Sequence, residues 1–546
     1  MERRTIIALL LILGVLVVTP KLFPTKRVPV VVSPSAITQS TGPKDTNQNM
    51  AAHPARDVEV KVESAEVVPK QVARSVVIED ALTTSEFSSS GGSLERVRLN
   101  TYKALNHSNG QVSLTAGTTP LLSYRIVTGG DTLRLRDYVF EADEGQVDTH
   151  RTVTFAGQAG SHNIRIKYQV VRDSFLTRVS GTITATQSGS FLLIDLPSTL
   201  RSFEADTTGD QSSLSYAVKP GERSAEGISF SSLDPGERKI VAGPITWAVA
   251  KSKYFIVGLL PDSGNVQYVE AQVIGGAKTS SAATLAHGTV VARLGVDGGF
   301  AFDLYAGPQQ YTRLVALGRD FENSNPYGGW LQGVVQPFAT MVMKILLWMK
   351  ATLSWNYGAL LVLFGVVVRV LMWPLQQGAM RTTMKMQRIQ PALNAIQTKY
   401  KSDPPKLQSE MMRLYKEHDM SPFSAFAGCL PILLPMPVLF ALFFVFQNTI
   451  EFRGVSFLWL ADISLKDPFY IVPLLMGVSM FGLSWIGLRN SPPNQQAKMM
   501  AYIMPVMMTV LFANFASGLN LYYAVQNIAA LPQQWLISNE RGKTKT

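Results

Sequence analysis

The chain has 546 residues, 46% of them hydrophobic and 16% charged, with a net charge of +11 and a mean hydropathy of +0.12. That average joins two unlike halves, because 18 of the 20 methionines follow residue 340 and the long apolar runs gather there as well. The single cysteine, Cys429, lies in an apolar run and excludes a disulfide scaffold, while basic residues placed beside the ends of apolar runs argue against a nucleic-acid substrate.

Residues 5–18 are apolar and follow Met1-Glu-Arg-Arg, with neither an A-x-A cleavage pattern nor a lipid-accepting cysteine after them. They read as an uncleaved membrane anchor over 1–21. From Pro24 to Glu86 no aromatic residue occurs and prolines recur at 24, 29, 34, 43, 54 and 69, so 22–74 reads as an extended tether. Residues 75–325 alternate apolar and polar side chains in short runs. Ile164, Ile166, Tyr168 and Val170 interleave with Arg165, Lys167 and Gln169, and similar runs occupy 176–186, 191–196, 245–249, 254–259 and 290–294. Period two marks half-buried strands, and their number without cysteine predicts a large antiparallel β-sandwich.

At 328–353 the period changes. Leu331, Val334, Val335, Phe338, Val342, Ile345 and Met349 recur at helical spacing beside Gln332, Gln336, Lys344 and Lys350, with Trp330, Trp348 and Trp355 punctuating the stretch. This predicts an amphipathic helix lying in the outer membrane interface, or else one packed on the β-domain. Five membrane spans follow at 355–375, 423–446, 468–488, 496–515 and 519–538. Between the first two, Met386, Ile389, Leu393 and Ile396, then Leu407, Met411 and Leu414, flank the turn-like Ser402-Asp-Pro-Pro, which predicts an antiparallel helical hairpin over 376–422. Arg3 and Arg4, the basic stretch 381–416, the 489–495 loop with Lys498, and the 539–546 tail are four basic flanks that would all lie on the cytoplasmic side. The expected topology has six spans counting the anchor, both termini inside, and the β-domain outside.

Arg369 is the chemical feature of the spans. It lies roughly 10 Å of helix rise from the polar stretch at Gln376, so it either snorkels toward headgroups or faces a water-filled pocket among the other spans. The five spans contain no Asp, Glu or His, and His418 is the only histidine after residue 300, so a proton relay, a Ser-His hydrolase and a zinc site all lack their parts. Gly275-Gly-Ala-Lys-Thr279 lacks the glycine before lysine of a phosphate loop and reads as a turn, and no cofactor is expected. Ser479, Ser484, Asn514, Asn520, Gln526 and Asn527 are uncharged polar groups within the spans. Each alone reads as a helix–helix hydrogen bond; together with Arg369 they read as a hydrated groove with methionine-rich walls.

Several motifs resemble one family. Asn356-Tyr-Gly with Val368-Arg-Val-Leu-Met-Trp-Pro-Leu375, Met386-Gln-Arg-Ile-Gln-Pro391, Cys429-Leu-Pro-Ile-Leu-Leu-Pro-Met-Pro437, Asp467-Pro-Phe-Tyr-Ile-Val-Pro473, Leu475-Met-Gly477 and Ser517-Gly-Leu-Asn-Leu-Tyr-Tyr523 occur in the order found in YidC membrane protein insertases, relatives of the mitochondrial oxidase-assembly and chloroplast albino insertases. The resemblance covers about 329–537. It implies an energy-independent insertase and chaperone of nascent inner-membrane proteins, multi-pass in the phospholipid bilayer, working alone or with the Sec translocon, with the ribosome and the signal recognition particle or its receptor as further partners. It implies that Arg369 is the groove charge, that Gln526, Asn527 and Ser479 line the groove, and that Leu439, Met476, Leu511, Tyr522 and Tyr523 form a hydrophobic slide. It also implies a galactose-mutarotase-like fold for the β-domain, without enzymatic activity. Pro435 stands where glutamine is common in the family, and Gly365 where a hydroxyl is common. Two rival readings are a membrane-tethered carbohydrate enzyme using His107, His150, His162 or His287 with nearby carboxylates, and a small-solute channel whose basic pocket selects anions.

Overall fold

The computed structural model describes residues 72–106, 110–115, 117, 119–184, 190–262, 267–279, 282–283, 285–295, 297–325, 332–418, 436–489 and 495–543. The anchor, nearly all of the tether, His107, Cys429, Pro435 and the first half of the span expected over 423–446 lie outside the described residues.

Residues 75–308 form a large β-sandwich. Its main sheet has 14 strands, and its central run passes through Phe191–Asp195, Ala286–Arg293, Gln267–Gly275, Arg238–Lys251, Phe255–Pro261, Gly299–Pro308, Leu176–Ile183, His162–Val170 and His150–Ala159, each antiparallel to the next. Alternation decides the faces: Ile164, Ile166, Tyr168 and Val170 are buried while Asn163 and Arg165 point out. A four-stranded sheet, Ser75–Glu79 to Gln111–Ser113, covers the other side. Polar atoms in the core find partners across the layers. The Tyr124 and Tyr168 hydroxyls meet at 2.8 Å, and Tyr168 donates to the Gly92 carbonyl at 2.7 Å. Two short helices, α1 (Thr207–Ser212) and α2 (Tyr311–Ala316), sit in connections.

The helical half contains α3 (Gln332–Leu353), α4 (Tyr357–Lys399), α5 (Pro404–Glu417), α6 (Met436–Asn448), α7 (Ile471–Leu488), α8 (Gln495–Phe512) and α9 (Ser517–Lys543). The Tyr357–Pro374 and Ile471–Leu488 stretches are long and apolar enough to cross a membrane, and Pro437–Asn448 and Ala501–Phe512 are shorter apolar helices. The buried face of α3 is Ala339, Val342, Met343, Leu346 and Met349, packed against the helical core. Among the described residues, Val342 and Met349 of the expected stripe belong to it, and Ile345 packs against it half-buried. Phe338, read as part of that stripe, points outward with Met341 and Trp348, because the helix is apolar over most of its circumference and its packing partner, not its period, selects the face.

Helix α4 runs 43 residues through Pro374 and Pro391, with no break at the expected end of the span near residue 375. Strong helix formers at Gln376, Gln377, Ala379, Met380 and Arg381 carry the helix onward, although each proline removes one N–H donor and crowds the carbonyl of the preceding turn. Tyr400 closes it, and Asp403 accepts from the Lys406 N–H at 3.2 Å to start α5 with Pro404 at its first position. Ile389, Leu393, Leu414 and Tyr415 form the small core between the two arms.

Candidate functional site: an arginine clipped between two helices

Gly365, Arg369, Trp373 and Gln376 share one face of α4 by their spacing, and α9 lies against that face. A Cβ on Gly365 would stand 3.1 Å from Val525 Cγ1, so the absent side chain lets the two backbones approach. Two glutamines seven residues apart on α9 exploit the proximity. Gln526 Nε2 donates to the Gly365 carbonyl at 3.4 Å and to the Tyr522 hydroxyl at 2.8 Å, and Gln533 Nε2 donates to the Trp373 carbonyl at 3.1 Å.

Arg369 sits between these clips. It is only 7% exposed, and its Nη2 donates to Gln533 Oε1 at 2.6 Å. Its Nε–H has no protein partner, and among the described residues no carboxylate pairs with it. The side-chain atoms Gln376 Oε1, Asn520 Oδ1 and Asn527 Nδ2 are also buried without partners. Interior polar atoms in this condition recruit water or a ligand group.

The other residues singled out by sequence fall in different places. Asn527 is 8% exposed on α9, one residue beyond Gln526. Ser479 is buried on α7 and donates to the Met476 carbonyl of its own helix at 2.7 Å. Met476 and Tyr522 have almost no surface: they lie in the helical core, Tyr522 with its ring 5.8 Å from that of Phe364. Leu439 and Tyr523 are partly exposed, Tyr523 stacked at 5.9 Å on Phe512, and Leu511 is 38% exposed. Sequence reasoning passed over Gln533, whose signal was its heptad spacing from Gln526 on a helix facing a lone arginine.

The quoted motifs also have local reasons. Asn356 caps α4 by accepting the Gly358 N–H at 2.8 Å, and it donates to the Ser456 carbonyl at 2.9 Å. The fully buried Asp467 accepts from the N–H groups of Phe469 and Val472 at 3.0 and 2.8 Å and from Trp459 Nε1, which satisfies the start of α7 around Tyr470 at φ +56°.

The loop between α6 and α7 docks onto the β-domain. Arg453 Nε donates to both Glu204 oxygens at 2.9 Å, and Nη2 donates to the Lys103 carbonyl at 2.9 Å, with both side chains of the ion pair nearly buried. Glu451 accepts from the Tyr311 N–H at 3.2 Å, and Ile450 enters the β-domain core. Burial outweighs Arg453 and pushes the Glu204 carboxyl up to about 7, and burial pushes Glu451 up to about 7.

The described histidines of the carbohydrate-enzyme reading, His150, His162 and His287, are dispersed. His150 Nδ1 accepts from the Arg172 N–H, His162 Nδ1 lies 3.2 Å from the Thr184 carbonyl, and His287 is on a strand six positions from that of His162 in the sheet.

Two family models match the chain: the YidC periplasmic domain over residues 75–341, and the 60Kd inner membrane protein over 348–545. The membrane protein insertase YidC of Chlorobium phaeovibrioides is 30% identical over 505 residues, covering 86% of this chain and 83% of its own, and that of Chlorobaculum parvum is 28% identical over 503 residues, covering 85% and 82%. Among solved structures, an active YidC insertase with its first transmembrane domain resolved shares 19% identity at a TM-score of 0.34, with 84% of this chain and 92% of that one covered. A galactose mutarotase-like protein from Lactobacillus casei shares 12% at 0.31, with 43% and 100% covered. With both halves matched in order and relatives aligned over most of their length, the chain belongs to the YidC family of inner-membrane insertases, with a periplasmic β-domain.

Proposed function

We propose that the chain inserts and helps fold nascent inner-membrane proteins through a hydrated groove in which Arg369 is the attracting charge. The observation that carries this is an interior arginine with one amide partner, an unpartnered Nε–H and, among the described residues, no carboxylate, on a pair of helices that also bury the unpartnered atoms Gln376 Oε1 and Asn527 Nδ2. Such a group holds an acidic tail by charge-assisted hydrogen bonds that water alone supplies poorly at that depth. Gln533 orients the guanidinium, Gln526 keeps α9 against α4, and Asn527 and Gln376 supply further polar lining. Of the slide residues, Leu511 offers surface and Leu439 and Tyr523 offer part of theirs, whereas Met476 and Tyr522 support that surface from within.

No covalent chemistry is needed. Apolar partition of the client's span contributes about 25 cal/mol per Å² removed from water. The membrane potential adds roughly 2.3 kcal/mol per acidic charge per 100 mV moved outward when the outside is positive. In this reading the chain crosses the membrane several times with both termini in the cytoplasm, the α4–α5 hairpin receives the ribosome or a targeting factor there, and the Sec translocon shares some clients.

The test is protease-protected insertion of a short single-span protein with an acidic outer tail into liposomes holding only this chain. Wild type and Arg369→Lys are expected to insert it and Arg369→Ala is not. Equal insertion by all three assigns Arg369 to snorkelling, and no insertion above empty liposomes removes autonomous activity.

A further inference from the structure

We propose that a cavity between the β-domain and the outer ends of the helices holds the headgroup of a zwitterionic phospholipid bearing a primary amine. The cavity measures about 620 Å³, the size of a small-ligand site, and both halves of the protein build it. Phe443 and Phe515 supply an apolar wall from the helical half. Lys253 and Asp206 come from the β-domain, and Lys466 from the loop before α7.

The charges are arranged for a zwitterion. Lys253 is 9% exposed, its ammonium lies 4.9 Å from the centroid of the Tyr254 ring, and among the described residues no carboxylate is within ion-pair distance of it or of Lys466. The carboxylate of Asp462, also on the wall, is committed to the loop, accepting the Gly454 and Ser464 N–H groups at 2.9 and 2.8 Å. Asp206 spends one oxygen on the Gly209 N–H at the start of α1, and its other oxygen remains for a ligand. Two ammonium groups on the wall are therefore available to a phosphate and one carboxylate oxygen to an amine, with Asp206 and Glu204 acting on Lys253 from beyond ion-pair distance.

Depth selects the source of that chemistry. The cavity wall includes Trp459 and Pro468, and beside them Leu458, Phe469 and Tyr470 are 72%, 65% and 45% exposed. Exposed aromatic and aliphatic side chains at helix ends mark the headgroup level of a bilayer, where phospholipid is the abundant amphiphile. A headgroup there, with its chains leaving along the aromatic wall, ties the β-domain to the helices. The proposal rests on the membrane location of the family and is independent of the arginine groove.

The experiment is native mass spectrometry of the full-length protein in detergent with dioctanoyl phosphatidylethanolamine or phosphatidylglycerol, and with no client present. Wild type is expected to retain phosphatidylethanolamine preferentially. Lys466→Gln, an exposed site, weakens retention about tenfold, the share of one charge-assisted hydrogen bond, at an unchanged melting temperature. Asp206→Asn, which still caps α1, abolishes the preference between the two lipids. Equal retention by wild type and Lys466→Gln, or phosphatidylglycerol held as well as phosphatidylethanolamine by wild type, overturns the proposal. So does a photo-crosslinker at residue 466 that captures the outer tail of a client and no lipid.

Discussion

The β-domain and the α4–α9 contact treat buried charge in opposite ways. At the β-domain joint, Glu204 meets the Nε–H of Arg453 through both oxygens, and that guanidinium also reaches the Lys103 carbonyl. Lys251 is held by Asn325, and Asp210 accepts the Lys253 N–H at 3.0 Å. Between α4 and α9 a guanidinium has a single amide partner, and Gln376 on α4 and Asn527 on α9 each keep an atom unpartnered. The Arg453–Glu204 pair, which must hold still, is saturated with partners, although Glu451 Oε2, two residues before Arg453, is buried without one. A surface that must accept many clients keeps part of its hydrogen-bonding capacity open, at a cost in stability.

Removing one side of the saturated pair should break the comparison hardest. Arg453→Ala leaves Glu204 buried and unpaired and is expected to cost about 3–5 kcal/mol in denaturant unfolding. The double change Glu204→Gln with Arg453→Met should recover much of it. A loss below 1 kcal/mol on the single change would mean that the joint is wet and not saturated.

Acidity comes next. Both Glu204 and Glu451 stand at about 7 in the folded protein against an ordinary 4.5, so the stability they contribute is full below that lower value and is lost as pH rises through about 7. The melting temperature should be higher at pH 5 than at pH 8. Glu451→Gln keeps the acceptor for Tyr311 N–H and should flatten the slope; an unchanged slope would assign it to other groups.

Gln533→Leu sharpens the other side of the comparison. It removes the amide partner of Arg369 and should cost roughly 1–3 kcal/mol of stability while insertion in the liposome assay persists, because the charge remains. Insertion lost to the same extent as in Arg369→Ala would make the Gln533 bond, and not the free charge, the working element. The smallest expected effect is Gly365→Ser. Its Cβ meets Val525 at 3.1 Å, so a strain of about 1 kcal/mol is expected in thermal unfolding. A stabilised variant would show that the helices separate easily enough to admit a hydroxyl.

Much of this architecture was readable before folding was considered. Period-two alternation at 164–170 decides which side chains of that strand enter the core, because successive side chains of a strand point to opposite faces. The anomaly of Arg369 was equally visible, since a lone charge in an apolar run is rare. Less legible was α3, apolar over so much of its surface that several faces were equally good and the packing against α6 chose one. The unbroken passage of α4 from the apolar run into the hairpin was not legible, because a change from apolar to polar residues marks the edge of a membrane and says nothing of where a helix ends.

Sequence by itself determined the two-part organisation, the strand periodicity and the one unbalanced charge, all of which follow from local composition and spacing. Only the tertiary structure decided that Gln533, 164 residues away, is the partner of Arg369, that Gly365 is a contact point, and that Arg453 closes on Glu204. Long-range pairing depends on which helix faces and loops meet. That is set by the packing of the whole molecule, and it leaves no periodic signal in either partner.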